Sequence, residues 1–135
     1  MSYPIKDLEG IGPKYAKKLA DAGIKTTAGL LGACAAEKGR KAVSETTGLS
    51  TKNLLKWANL ADLMRIKGIA TQYSELLEAA GVDTVKELRN RNAKNLAAKM
   101  QEVNAKKKRT RVTPPEVVVT TWVAAAKKTK PMITH

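Results

Sequence analysis

Phenylalanine is missing from this sequence altogether, and its aromatic residues are three tyrosines and two tryptophans. Any core must therefore be filled largely by Leu, Ile, Val and Ala. The single cysteine, Cys34, excludes an internal disulfide, and the one histidine, His135, is the last residue, so these two types offer no metal-ligand cluster. A lone thiol with no base beside it reads as a buried structural residue in a reduced, cytoplasmic protein. No apolar run approaches the roughly 20 residues of a membrane span, and no signal-peptide core opens the chain, so a soluble protein without membrane contact is expected. Catalytic patterns are lacking too: there is no persuasive carboxylate pair, no Ser, His and Asp set, and no Gly-x4-Gly-Lys-Ser/Thr phosphate loop. The expectation is a non-enzymatic protein with no cofactor.

What the sequence does have is positive charge and helix-forming residues. A formal net charge of +13 on 135 residues implies attraction to polyanions, with solubility as the competing explanation. The charge is uneven, at +4 over residues 1–62 and +9 over residues 63–135. This length allows one ordinary domain or two very small ones. Abundant Ala with helix-spaced Leu points to an all-α protein.

Along the chain, a short helix over 5–9 leads into the turn Gly10-Ile11-Gly12, and Pro13 sits at the first position of a helix over 13–22 that Gly23 closes. The two turn glycines are expected to take positive φ and to let the backbone approach a partner. On this helix Tyr15, Ala16, Leu19 and Ala22 make an apolar stripe, while Lys14, Lys17, Lys18 and Asp21 make a polar one. Thr26 caps a short helix through Leu30 and Leu31, a loop with Gly32 and Gly39 follows, and residues 40–47 form a helix closed by Gly48. Ser50 or Thr51 caps a longer helix that carries Leu54, Trp57, Ala58 and Ala61 on one face.

A shift of 58 positions superposes Leu8, Gly10, Ile11, Tyr15, Leu19, Ala22, Gly23, Thr26 and Leu30 on Ile66, Gly68, Ile69, Tyr73, Leu77, Ala80, Gly81, Thr84 and Leu88. Nine matches at one offset indicate a tandem duplication. The second copy continues with a helix over 93–104 and, after an insertion, a final helix whose Trp122 answers Trp57. The run VVVTTWV at 117–123 is strand-like in composition, but Thr113, Pro114, Pro115 and Glu116 read as a capping box opening a helix. The expected organisation is a first repeat over 1–61, a second over 62–127 with a basic insertion at 105–112, and a flexible tail over 128–135.

The stretch LEGIGPKYAKKLADAGI resembles the helix-hairpin-helix motif of DNA-binding proteins, matching it at Leu8, Gly10, Ile11, Gly12, Ala16 and Leu19. Nearly the whole chain, most specifically Trp57 to Arg89, is similar to an uncharacterised bacterial domain-of-unknown-function family of tandem helix-hairpin-helix proteins. The resemblance implies an all-α fold, a duplicated helix-hairpin-helix (SAM-like) bundle of about five short helices per repeat. From the motif it implies sequence-independent phosphate contact through Gly10, Ile11, Gly12 and Lys14.

The copies differ where phosphate contact would occur. Gly12, Pro13, Lys14, Lys17 and Lys18 become Ala70, Thr71, Gln72, Glu75 and Leu76, so one competent hairpin is expected, and Leu76 is expected to leave apolar surface exposed. Three helices separate the hairpins in sequence, which argues against a simple two-hairpin clamp. Lys106, Lys107, Lys108, Arg109 and Arg111 in the insertion read either as an arm on the phosphate backbone or as a solvated loop. Asp83 comes too soon after the second hairpin to match the catalytic aspartate of helix-hairpin-helix glycosylases, and Asp83 and Thr84 read as helix N-cap residues. The favoured expectation is non-catalytic nucleic-acid binding, DNA before RNA, through the Gly10–Lys14 turn, Lys17, Lys18 and the insertion. The alternative is a protein-interaction module with both hairpins structural and a partner near Leu76.

Overall fold

The computed structural model describes residues 2–108 and 110–135, and among these there are eight α-helices and no strand. A 3-10 turn at Ile5–Asp7 precedes α1 (Pro13–Asp21), α2 (Thr27–Cys34), α3 (Glu37–Thr47) and α4 (Thr51–Leu63). Then come α5 (Thr71–Ala79), α6 (Val85–Leu88), α7 (Ala93–Lys107) and α8 (Glu116–Lys128). Side-chain oxygens start four of these helices: Thr26, Ser50, Thr84 and Asn92 accept from the amides of Gly29, Asn53, Glu87 and Asn95. Each cap satisfies an N–H that the helix itself leaves unpaired.

The strand-like run over 117–123 is helical because its apolar residues fall at helical spacing: Val119, Trp122, Val123 and Ala126 are all buried. The expected capping box is not formed, since Pro115 occupies the N-cap position with no side-chain hydrogen bond. The expected loop around Gly32 and Gly39 is also corrected, because those residues lie inside α2 and α3. A Cβ at Gly39 would stand 2.1 Å from the Ala33 carbonyl oxygen, so this glycine permits the close passage of α3 against α2. The second half has four helices where the first has a 3-10 turn and four, a bend after α4 replacing the short opening element.

Two apolar clusters form the interior. The first gathers Leu8, Ile11, Leu19, Leu30, Leu54 and Trp57; the second gathers Ile66, Ile69, Leu76, Leu77, Leu88, Met100 and Trp122. The end of α4 serves both, with Met64 in the first cluster and Leu63 in the second. Hydrogen bonds recur at the same offset as the sequence matches. Ile11 N–H donates to Leu8 O as Ile69 does to Ile66 O, and Ile24 donates to Leu19 O as Val82 does to Leu77 O.

Two buried charged residues fix chain crossings. Arg40, 3% exposed, donates from Nη1 to the carbonyls of Cys34 and Ala35 and from Nη2 to that of Thr134. Its charge thus sits at the C-terminal end of α2, the negative pole of the helix dipole. Asp62 accepts from Arg65 and, through Oδ2, from the amide of Val85 at 2.8 Å, holding the start of α6. Residues 128–135, expected as a flexible tail, lie along both halves: Arg65 Nη2 donates to Lys130 O, and Thr134 N–H donates to Ala35 O at 2.8 Å. Ile133 packs on the first cluster.

Among the described residues, no helix is long and apolar enough to cross a membrane. Cys34 is fully buried, and burial pushes its thiol up to about 11 although Arg40 draws it down, so it is protonated at neutral pH.

Candidate nucleic-acid interface

The turn before α1 is built on an aromatic platform. Gly10 has φ +86°, in the left-handed region that favours glycine, and a Cβ there would lie 3.3 Å from Trp57 Nε1. Tyr15 leans on the same indole, ring centroids 5.5 Å apart. Gly68, Trp122 and Tyr73 repeat the arrangement, with φ +93°, a Cβ-to-Nε1 distance of 3.1 Å and centroids 5.2 Å apart. The tryptophans are core residues, whereas Tyr15 is 36% exposed at the rim.

Gly12 differs from the expectation that both glycines need positive φ. Its backbone is extended, φ −83° and ψ −178°, which any residue adopts, and a Cβ there would meet nothing within 4 Å. Nothing inside the protein therefore requires glycine at this position. Gly12 is the N-cap of α1 and supplies no side-chain cap. Among the described residues, no hydrogen bond takes up the amides of Gly12, Lys14 or Tyr15. These N–H groups stand at the positive pole of α1, and Gly12 and Lys14 are exposed. The Ile11 side chain is buried and its amide is used by Leu8 O, so it anchors the turn from beneath.

Lys17 is exposed and Lys18 half-buried, and no ion pair among the described residues engages either of them or Lys14. An exposed Gly-x-Gly turn, unused amides and unneutralised lysines form an anion-attracting corner.

The second turn differs in kind. Ala70 takes the place of Gly12, with φ −102°, and Thr71 turns its hydroxyl away to donate to Asp7 O at 2.8 Å. That bond puts the start of α5 directly against the segment leading into the first turn. Leu76 is corrected: it is fully buried in the second cluster and offers no apolar surface. Its burial follows from its place in one cluster with Leu63 and Ile66, an enclosure that its alignment with Lys18 does not anticipate.

The basic insertion is partly helical. Lys106 and Lys107 belong to the last turn of α7, Lys108 caps it in the left-handed conformation (φ 48°), and Arg109 lies outside the described residues. Lys106, Lys107, Lys108 and Arg111 are all exposed. The side chain of Asn104 both donates to Thr110 O and accepts from Thr110 N–H, and Tyr73 Oη donates to Val112 O at 3.3 Å. The segment is thereby tied to α5. Gln72 shares a cleft of about 540 Å³ with Asn104, Ala105, Lys108, Thr110 and Arg111.

Sequence reasoning treats Thr71 and Gln72 only as departures from the first repeat, Asn104 as the end of a helix and Thr110 as part of the insertion. The signal that points to them is the coincidence of a missing lysine at 72 and an added basic segment within one repeat.

A family model described as a domain of unknown function (DUF4332) matches residues 9–129. No curated protein and no solved structure compared with the chain matches it significantly.

Proposed function

The chain belongs to that DUF4332 family, and on this premise we propose that it is a non-catalytic protein that binds nucleic acid, DNA in the first place, without regard to base sequence. In this reading each half is a helix-hairpin-helix repeat, and the first turn is the phosphate contact. The observation that carries it is Gly12: an exposed glycine with no internal need to be one, beside unused amides and unpaired lysines. A small residue that neither backbone conformation nor packing requires fits a turn approached closely from outside. Backbone amides and lysines reach phosphates and not base edges, hence no sequence preference.

The adaptor reading loses Leu76 as its partner surface, because that residue is interior. Mobility shift with duplex DNA across a salt series tests the proposal. Gly12→Val combined with Glu at Lys14, Lys17 and Lys18 is expected to abolish the shift while circular dichroism stays native. Unchanged binding would attribute the affinity to general basicity and overturn the reading.

A further inference from the structure

We infer that the second half carries its own phosphate-binding cleft, in which Lys108 and Arg111 replace in space the lysine that its hairpin lacks in sequence. This rests on the first turn being a nucleic-acid contact, and it makes that contact one of two on the same strand or duplex.

Three observations support it. Position 72, the counterpart of Lys14, is an exposed glutamine at the second residue of α5, where the cation of the first repeat would stand. The cleft beside it is lined by two cations and by neutral Gln72, Asn104, Ala105 and Thr110, with no carboxylate among its walls. By contrast, the cleft beneath the C-terminal segment is lined by Asp62, Asp83 and Glu87 as well as Lys86, and would not select an anion.

The loop is also held in place. Both polar atoms of the Asn104 side chain are spent on Thr110, and Tyr73 fixes Val112, so Lys108 and Arg111 are carried by an anchored segment beside α5. An anchored pair loses less conformational freedom on binding than a free arm would. No ion pair among the described residues neutralises either cation.

The approach to the first turn and the start of α5 are close. Asp7 accepts from Thr71, the neighbour of Gln72, and the three residues from Asp7 to Gly10 span at most about 11 Å. A duplex lying along both is what the two-site contact requires, successive helical turns of DNA being roughly 34 Å apart.

The test is fluorescence anisotropy of the full chain with a labelled duplex of roughly 20 base pairs, about two helical turns, over a salt series. Lys108→Gln with Arg111→Gln is expected to reduce the log–log salt slope by about 1.8, at roughly 0.9 for each phosphate that is no longer neutralised. The charge-matched pair Lys38→Gln with Lys52→Gln, on α3 and α4, should leave it within error. Gln72→Lys is expected to strengthen binding and raise the slope by about 0.9.

Equal losses from the cleft pair and the control pair would overturn the cleft. A cleft pair that binds like wild type, while Gly12→Val still weakens binding, would overturn the cleft and leave the first site standing. Weakening with the cleft pair but not with Gly12→Val would remove the first contact and with it the two-site arrangement inferred here, and a wild-type chain that binds no duplex would remove both sites.

Discussion

Gly10 and Gly12 stand two positions apart and obey different constraints. Gly10 needs both its positive φ and its missing Cβ, because Trp57 Nε1 lies 3.3 Å from where that atom would be. Gly10→Ala is therefore expected to destabilise the fold by about 1–2 kcal/mol from the left-handed conformation alone, with more from the displaced indole. Gly12→Ala should leave stability within about 0.5 kcal/mol, the missing N-cap preference and the reduced freedom of the unfolded chain roughly cancelling. Ala70 already occupies the matching place in the second half. Urea melts of the two variants check this, and a large destabilisation by Gly12→Ala would show that the glycine serves the fold after all. The Gly-x-Gly pattern makes the turn legible in the sequence, but not the division of labour within it. Which glycine is structural depends on Trp57, 47 positions on from Gly10, and no local pattern carries that information.

At the scale of the elements, three helix starts are readable because Thr26, Ser50 and Thr84 announce themselves chemically. Sequence and structure part where tertiary packing overrides local composition. Gly39 reads as a loop residue and is a helix crossing, and Leu76 reads as exposed from its alignment with Lys18 but is enclosed by the second cluster. The C-terminal segment is unreadable for a related reason, since its partners Arg40 and Arg65 are distant in sequence and bind it through main-chain carbonyls, whose positions no side-chain pattern reveals. Removing residues 130–135 would strip Arg40 of the Thr134 carbonyl and uncover the seat of Ile133. The truncated chain is expected to be less stable by roughly 1–3 kcal/mol, the range for buried polar groups left unsatisfied, in a chemical melt. A truncation as stable as the full chain would mean that these hydrogen bonds add nothing to the fold.

Across the whole molecule, two clusters of similar composition meet at the end of α4, and the bond from Thr71 to Asp7 draws the two turns together. Nine residues match at one offset in the sequence, and bonds recur at that same offset at Ile11 and Ile69 and at Ile24 and Val82. The arrangement of the halves is not visible, because one hydroxyl-to-carbonyl bond between distant segments leaves no periodic trace. The excess charge of the second half gains a location from that arrangement: Lys108 and Arg111 lie beside α5, whose start adjoins the approach to the first turn. The central claim is that the amides at the start of α1 receive phosphate oxygens. It is tested most directly by titrating the isotope-labelled full chain with duplex DNA and following each backbone amide by NMR. The account predicts that the amides of Gly12, Lys14 and Tyr15 move at the first additions, and further than those of α3. Shifts confined to other surfaces, with these three amides unmoved at saturation, would contradict it.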